Sequence, residues 1–300
     1  MKTRNMINGI ALALACGLVA ALKAQNLYVG NAGSGTVGEY GLDGSIVNAP
    51  LISGLNGPCG VAISGNALFV ANYYAGTIGE YTTSGAIVNG SFISGLSGPQ
   101  SIAISGNNLF VANIYNNTIG KYGLNGLTVN ASLISGLSNP RGIAISGSHL
   151  FVANANNGTV GEYGLDGSTI NASLISGLST PFGIAISGNN LFVANCGNGF
   201  RGHGTIGEYR LDGTTVNASL ISGLSNPVGI AISESNLFVV NYDENGYIGK
   251  YTTSGSTVNA LLISGLSEPL GIAINPVPEP SAGALIGSSA AVLLLWRRRK

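Results

Sequence analysis

Pro140–Leu178 reads P-R-G-I-A-I-S-G-S-H-L-F-V-A-N-A-N-N-G-T-V-G-E-Y-G-L-D-G-S-T-I-N-A-S-L-I-S-G-L, and this unit recurs six times along the chain with small changes. Its central segment, L-F-V-A-N or a close variant, is spaced by four steps of 41 residues and one of 46. The six copies of that segment begin at Leu27, Leu68, Leu109, Leu150, Leu191 and Leu237. A fixed period of about 40 residues built from short apolar runs is typical of propellers and related arrays.

Each unit contains four segments of strand length. In the copy that starts at Pro181 we predict strands at Gly183–Ser187, Asn190–Asn195, Thr205–Tyr209 and Ser219–Ser222. Ser-Gly and Asp-Gly pairs between them favour tight turns, because glycine accepts the left-handed conformation. Four antiparallel strands repeated six times predict an all-β, six-bladed β-propeller over residues 25–275.

The phase of the repeat predicts how the ring closes. The first copy begins with the second strand of a blade, Asn26–Asn31, and the last copy ends with an unpartnered first strand, Gly271–Asn275. We therefore expect the C-terminal strand to join blade one as its innermost member, because an unpaired strand would leave an open sheet edge. The chain would then leave the ring at the end of that strand opposite the proline loops.

Composition excludes some functions and one cross-link. Lys plus Arg and Asp plus Glu both number 12, so there is no net field to attract nucleic acid. Cys59 and Cys196 fall in blades two and five, on opposite sides of a sixfold ring, which argues against a disulfide between them.

The repeat resembles known families. P-x-G-I-A-I-S, L-F-V-A-N, N-G-T-I-G and the following Tyr are similar to the NHL repeat and to the YVTN repeat of bacterial surface propellers. The resemblance covers residues 26–275 and implies the propeller fold. It implies little about function, because such blades serve as scaffolds, binding modules and a few enzymes.

Residues 1–24 have the pattern of a secretory signal peptide. Lys2 and Arg4 precede an apolar run, and Ala21 or Ala24 offers a small-residue cleavage site. This pattern predicts passage through the Sec export machinery. Two alternatives stay open, a retained N-terminal membrane helix and lipidation at Cys16.

Residues 276–300 differ in character from the repeats. Val277, Pro278, Glu279 and Pro280 precede an apolar segment, and the chain closes with Arg297–Lys300. This order resembles the PEP-CTERM sorting signal, and an ordinary tail anchor is the alternative. The resemblance implies a C-terminal transmembrane helix, transient anchoring in the inner membrane, and processing by an exosortase-type enzyme. The destination would be the cell surface or extracellular matrix of a Gram-negative bacterium.

The position after each loop proline starts the innermost strand and is predicted to line the mouth of the central channel. Its occupants are Cys59, Gln100, Arg141, Phe182, Val228 and Leu270. Hard cations need several oxygen ligands, whereas this ring offers one amide and no carboxylate. We therefore predict no metal site, no cofactor and no lactonase-type metal chemistry.

Two other repeat positions carry polar side chains. The third strands place Glu39, Glu80, Glu162 and Glu208, with Lys121 and Lys250, away from the axis, where we expect solvated or Lys-paired side chains. The Asn that ends each V-A-N recurs in every copy and is predicted to cap its own loop.

The loops after the second strands vary between copies. Tyr73, Tyr74 and Tyr115 occupy them in blades two and three, and blade five carries an insertion at residues 197–204. Aromatic rings beside Asn and Arg suit sugar or peptide surfaces. The predicted ligand-binding rim comprises Gln100, Arg141, Phe182, Phe200, Arg201 and Tyr242. The competing interpretation is tolerant loop sequence without a ligand.

No catalytic residue is predicted, because the chain contains no G-x-S-x-G, C-x-x-C or phosphate loop. The sequence therefore favours a non-enzymatic binding or scaffold module for extracellular polysaccharide or surface protein. The alternative is a propeller hydrolase or lyase, of the lactonase or streptogramin-lyase type, that uses Asp243, Glu244 and His203. A purely structural role is a third hypothesis.

Overall fold

The computed structural model describes residues 25–197, 202–243 and 245–275, and its 24 strands lie within one compact unit, Asn26–Asn275. The predicted signal and sorting segments lie outside the described residues. Within the described ranges, no helix has the length and apolar character needed to cross a membrane.

The strands form six four-stranded antiparallel sheets, which we call blades one to six. From the innermost strand outward, blade one is β24 (Pro269–Ile274), β1 (Asn26–Asn31), β2 (Thr36–Gly41) and β3 (Ile46–Ile52); blade two is β4 (Pro58–Ser64), β5 (Ala67–Asn72), β6 (Thr77–Thr82) and β7 (Ile87–Ile93); and blade three is β8 (Pro99–Ser105), β9 (Asn108–Asn113), β10 (Thr118–Gly123) and β11 (Thr128–Ile134). Blade four is β12 (Pro140–Ser146), β13 (His149–Asn154), β14 (Thr159–Gly164) and β15 (Thr169–Ile175); blade five is β16 (Pro181–Ser187), β17 (Asn190–Asn195), β18 (Gly204–Arg210) and β19 (Thr215–Leu224); and blade six is β20 (Pro227–Ser233), β21 (Asn236–Asn241), β22 (Gly246–Thr252) and β23 (Thr257–Leu266). The predicted six-bladed propeller with four-stranded antiparallel blades is confirmed.

The ring closes through β24, as the repeat phase predicts. This last strand pairs antiparallel with β1, with Leu27 opposite Ile274 and Asn31 opposite Pro269. Beyond the strand, the main-chain N–H of Asn275 donates to the carbonyl oxygen of Asn26 at 3.2 Å. Pro269 and Asn275 are therefore at opposite ends of the innermost strand.

The core consists of six apolar clusters, one between each pair of neighbouring blades. In each L-F-V-A-N segment, Leu and Val contact the preceding blade, whereas Phe and Ala contact the following one; Phe110 and Ala112 thus pack with Leu150 and Val152. Both faces of the second strand are buried, which explains its continuous apolar run. The cluster between blades six and one, which contains Phe238 and Leu27, is the sixth and completes the circle.

Glycines in the innermost strands allow neighbouring blades to meet near the axis. A Cβ added to Gly60 would lie 2.7 Å from the carbonyl oxygen of Gln100, and one on Gly183 would lie 2.5 Å from that of Val228. Gly142, Gly229 and Gly271 have equally close backbone neighbours. The Gly after the mouth position is thus required in five blades, whereas blade three accommodates Ser101, whose hydroxyl accepts a hydrogen bond from the Ile143 N–H at 3.3 Å.

The outermost strands are longer than their apolar pattern indicates. β19 spans Thr215–Leu224 rather than the predicted Ser219–Ser222, because its first residues pair with β18 through the backbone while their side chains stay exposed. An exposed strand can have polar and apolar residues on either face, so hydrophobic periodicity misses it.

The third-strand carboxylates are not paired with lysines, which corrects one expectation. Glu208 accepts a hydrogen bond from Asn190 Nδ2 at 2.7 Å, and Glu162 lies 2.7 Å from His149 Nδ1. Lys121 Nζ instead donates to the carbonyl oxygen of Leu165, in a turn of the next blade, at 3.1 Å. Lys121 and Lys250 therefore link neighbouring blades, while Glu162 and Glu208 bond to the strand beside their own.

The V-A-N asparagines fulfil the capping prediction in part. Asn72 and Asn195 donate across their own loops to Thr77 and Thr205, at 3.3 and 3.4 Å. In contrast, the Asn241 side-chain amide donates back to the Val239 carbonyl oxygen at 3.2 Å.

Candidate functional site

The same main-chain hydrogen bond occurs at the mouth of the channel in all six blades. The residue before each loop proline has a positive φ, and its carbonyl oxygen accepts the N–H of the residue after the V-A-N asparagine, at 3.0–3.1 Å. The six accepting residues are Gly57, Gly98, Asn139, Thr180, Asn226 and Glu268. This bond joins the two loops at the same end of each blade, so that their side chains surround a single opening.

The opening is a cavity of about 240 Å³ that shares its deepest residues with a narrower axial cavity of about 110 Å³. The mouth contains four aromatic residues and three polar ones, together with small and aliphatic side chains. They are Tyr73, Tyr74, Phe182 and Tyr242, and Gln100, Arg141 and Glu268. We call this space the mouth cavity. The narrowing occurs where the innermost glycines bring the strands together.

Arg141 is the cation of the mouth cavity. Its guanidinium carbon lies 4.8 Å from the centroid of the Phe182 ring, a cation–π arrangement. Its Nε is buried and has no hydrogen-bond partner among the described residues. Burial lowers the pKa of Arg141 from its ordinary value, but an arginine remains charged at neutral pH. The site therefore holds a partly desolvated positive charge with an unused donor.

Glu268 is the carboxylate of the mouth cavity, and it interacts with Tyr242. Burial raises the pKa of the Tyr242 hydroxyl, and the charge of Glu268 and a hydrogen bond to it raise that pKa further. Glu268 precedes β24 in blade one, whereas Arg141 lies in blade four, three places away in a ring of six. The two charges consequently face each other from opposite sides of the mouth.

Three tyrosines extend the site outward, and we call them the tyrosine rim: Tyr73, Tyr74 and Tyr115. The Tyr73 hydroxyl donates to the Tyr115 hydroxyl at 2.7 Å, and the Tyr73 and Tyr74 rings meet edge to face at 5.1 Å. Tyr74 and Tyr115 remain 72% and 65% exposed. Gly57 and Gly98 lie directly against these two rings, where a Cβ would clash with them.

The structure brings four of the six predicted rim residues together. Gln100, Arg141, Phe182 and Tyr242 line one cavity, whereas Phe200 and Arg201 lie outside the described residues. Cys59 does not line the mouth: it is fully buried, and its Sγ donates to the Pro99 carbonyl oxygen at 3.0 Å. Its side chain turns into the core between blades two and three.

Sequence reasoning missed Glu268. It occupies the position before the loop proline, whereas only the position after that proline is predicted from the repeat to line the mouth. Its charge could have identified it, because the residues at the same position in the other five blades are uncharged. They are Gly57, Gly98, Asn139, Thr180 and Asn226.

The residues of the enzymatic alternative fall on two loops. His203 precedes β18 and Asp243 follows β21, while Glu244 lies outside the described residues. Within residues 25–197, 202–243 and 245–275, no three His, Cys, Asp or Glu side chains gather closely enough to hold a metal ion.

Comparison with solved structures finds other propellers at low sequence identity. A chain in the crystal structure of a nidogen/laminin complex is 16% identical, with a TM-score of 0.71 over 85% of this chain and 99% of that one. A gluconolactonase from Xanthomonas campestris is 12% identical, with a TM-score of 0.58 over 71% and 80%. A streptogramin B lyase is 20% identical, with a TM-score of 0.54 over 87% and 76%. At these identities the similarity shows the fold alone.

No family model matches the sequence, and no curated protein matches it either. The solved propellers similar to this chain include both enzymes and a member of a protein complex. Function must therefore be argued from the mouth cavity rather than from the fold.

Proposed function

We propose that this chain is an exported, NHL- or YVTN-type propeller that binds an extracellular polysaccharide at its mouth cavity without transforming it. The observation that carries the proposal is the composition of that cavity. Aromatic rings, one guanidinium, one carboxylate and one carboxamide converge at the end of the axis, in a concave site formed by all six blades.

A sugar ring matches these groups. Its C–H face packs on an aromatic ring such as Phe182 or Tyr74, while its hydroxyls need acceptors and donors around its edge. Glu268 is an acceptor, and Gln100 and Tyr242 can donate or accept. The exposed tyrosine rim beside the cavity offers a second stacking surface for the next sugar of a chain.

The ends of the sequence support export. Residues 1–24 have the pattern of a Sec signal peptide, and Val277–Pro280 with the following apolar and basic residues resemble a PEP-CTERM signal. The proposed route is secretion, transient anchoring in the inner membrane and release by an exosortase-type enzyme to the cell surface or matrix. Because the chain leaves β24 opposite Pro269, the mouth would point away from the membrane during anchoring.

A glycan array and a polysaccharide pull-down test the binding proposal. The purified protein should be retained by at least one extracellular polysaccharide, and Tyr74→Ala should weaken retention because it removes an exposed stacking surface. Ile87→Ala is the matched control, because Ile87 is 73% exposed on the outer strand β7, away from the mouth. Turnover in a lactone screen without glycan retention would favour the hydrolase or lyase alternative and overturn the proposal.

Expression in hosts with and without an exosortase tests the export proposal. The mature protein should lack residues 1–24 in both hosts, and the C-terminal segment should be lost only where the exosortase is present. Replacement of Pro278 and Glu279 by Ala should leave the protein in the membrane fraction. Identical processing of this variant and the parent would refute the sorting assignment.

A further inference from the structure

The mouth cavity contains a charge that nothing described in the protein neutralises. Arg141 forms no ion pair among the described residues. A guanidinium removed from water costs free energy unless an anion or acceptor approaches it. Arg141 lines the mouth cavity, so an anion bound there would supply the acceptor that the protein does not.

The geometry around Arg141 favours a planar anion. The Arg141 guanidinium carbon lies over the Phe182 ring, 4.8 Å from its centroid, and this contact restricts the movement of the group. A held guanidinium presents parallel N–H donors that match the two oxygens of a carboxylate. The aromatic contact thus prepares the group for a bidentate carboxylate rather than for a single hydroxyl.

The opposite wall of the mouth cavity has the reverse character. Glu268 and Tyr242 present a carboxylate and a hydroxyl three blades away from Arg141. A second carboxylate would be repelled there, whereas sugar hydroxyls can donate to Glu268. A suitable ligand therefore carries a carboxylate at one end and hydroxyls at the other.

The size of the cavity limits the ligand to one ring. At about 240 Å³ the mouth cavity is below the range of roughly 300–1,000 Å³ that is usual for sites of drug-sized ligands. The axial cavity beneath it holds only about 110 Å³, because the strands meet at Gly142 and Gly183. A sugar that enters cannot continue through the channel, so it must be the end of a chain or of a branch. The following sugar would leave over the tyrosine rim.

We infer that the mouth cavity binds a terminal uronic acid of an acidic polysaccharide, with its carboxylate on Arg141 and its hydroxyls toward Glu268 and Tyr242. This inference rests on the proposed polysaccharide-binding function and specifies its ligand. The sugar ring packs against the aromatic wall, and specificity against neutral sugars comes from Arg141, which a neutral ligand would leave buried and unpaired.

Titration calorimetry with two matched oligosaccharides tests the inference. One ends in glucuronate and the other, otherwise identical, ends in glucose. We expect the glucuronate-terminated probe to bind about tenfold or more tightly, and Arg141→Gln to remove that preference, since hydrogen bonds to charged groups outweigh neutral ones. Arg210→Gln is the matched control, because Arg210 is an exposed arginine at the end of β18.

The outcomes separate this inference from the function on which it rests. Equal binding of both probes, or a preference that survives Arg141→Gln, would overturn the uronate assignment while leaving polysaccharide binding intact. Tighter binding of an acidic peptide with a free C-terminal carboxylate would also overturn it. Retention of no glycan at all would defeat the proposed function itself. The melting temperature of Arg141→Gln should not fall below that of the parent, because an unpaired charge is removed, and this would show that lost binding does not come from unfolding.

Discussion

The main-chain N–H of Cys196 donates a hydrogen bond to the carbonyl oxygen of Thr180 at 3.1 Å, and Thr180 achieves this with a φ of 52°. A positive φ is costly for a β-branched residue, yet the same bond occurs in all six blades. In blades two and three the accepting residue is a glycine, Gly57 or Gly98. Four of the six accepting residues are not glycine, and the β-branched Thr180 is the one for which this conformation is most strained.

Thr180→Gly should therefore stabilise the protein. Relief of the left-handed strain is worth about 1–2 kcal/mol, and the greater freedom of glycine in the unfolded chain offsets about 0.5–1 kcal/mol of it. The expected net gain in the free energy of unfolding is therefore up to about 1.5 kcal/mol, measured by urea denaturation. Thr169→Gly, at an exposed position of the outer strand β15, should instead be destabilising. A loss of stability in Thr180→Gly would contradict the argument.

Gly271→Ala should destabilise the ring at its closure. A Cβ on Gly271 would collide with the backbone carbonyl oxygen of Cys59, in the neighbouring innermost strand β4. Overpacking of this kind costs about 1–3 kcal/mol, which should lower the melting temperature by several degrees. Gly90→Ala is the control, because a Cβ there meets nothing within 4 Å, and its effect should stay within about 0.5 kcal/mol.

The thiols of Cys59 and Cys196 should resist alkylation in the folded protein. Burial raises the pKa of both to about 12, and the thiolate is the form that reacts. Near pH 8, iodoacetamide should modify both residues rapidly in guanidinium and very slowly in buffer, as followed by mass mapping. Ser84→Cys, in an exposed turn, should react rapidly in buffer. Fast modification of native Cys59 would refute the buried position assigned to it.

Alkaline pH should destabilise the propeller. Burial raises the pKa of the tyrosine at the penultimate position of the third strand in each blade, for example Tyr163 and Tyr209. Unfolded tyrosines lose their protons near pH 10, while the folded ones keep them. The stabilisation is therefore complete below about pH 9 and is lost as pH rises through 10 toward the folded pKa values. Each such group lowers the free energy of unfolding by about 1.4 kcal/mol per pH unit in that window.

Urea midpoints measured from about pH 7 to pH 11 check this dependence. Tyr163→Phe should reduce the decline above pH 9, because one linked proton is removed. Gly90→Ala, which removes no titratable group, should leave the decline unchanged. A midpoint that stays constant up to pH 11 would show that the hydroxyls titrate equally in the folded and unfolded chains.

The fold could be predicted because the same pattern of strands and turns recurs in all six repeats. The alternation of Leu27 and Val29 with Tyr28 is repeated in every blade, and the incomplete blades at residues 26 and 275 determine how the circle closes. Strand ends were harder to predict where side chains are exposed, as at Thr215. There the backbone pairing leaves no hydrophobic pattern.

The site was predictable only as a ring of positions. The equivalent repeat positions of Arg141 and Phe182 predict that both lie at the mouth of the channel. Their contact and the unpaired Nε of Arg141 depend on side-chain packing. Cys59 is turned into the core between two blades, and Glu268 lines the mouth although Asn226, with the same φ of 49°, does not. Such choices are made by tertiary contacts, which a repeat pattern does not encode.

The pairing of Asn26 with Asn275 has a mechanical consequence. Both flanking segments attach at the same end of the antiparallel pair β1 and β24. A force that pulled the two segments apart would load the hydrogen bonds between these strands one after another, as in a zipper, rather than all at once in shear. The β1–β24 pair should thus separate at a low pulling force, before the strands of any other blade separate.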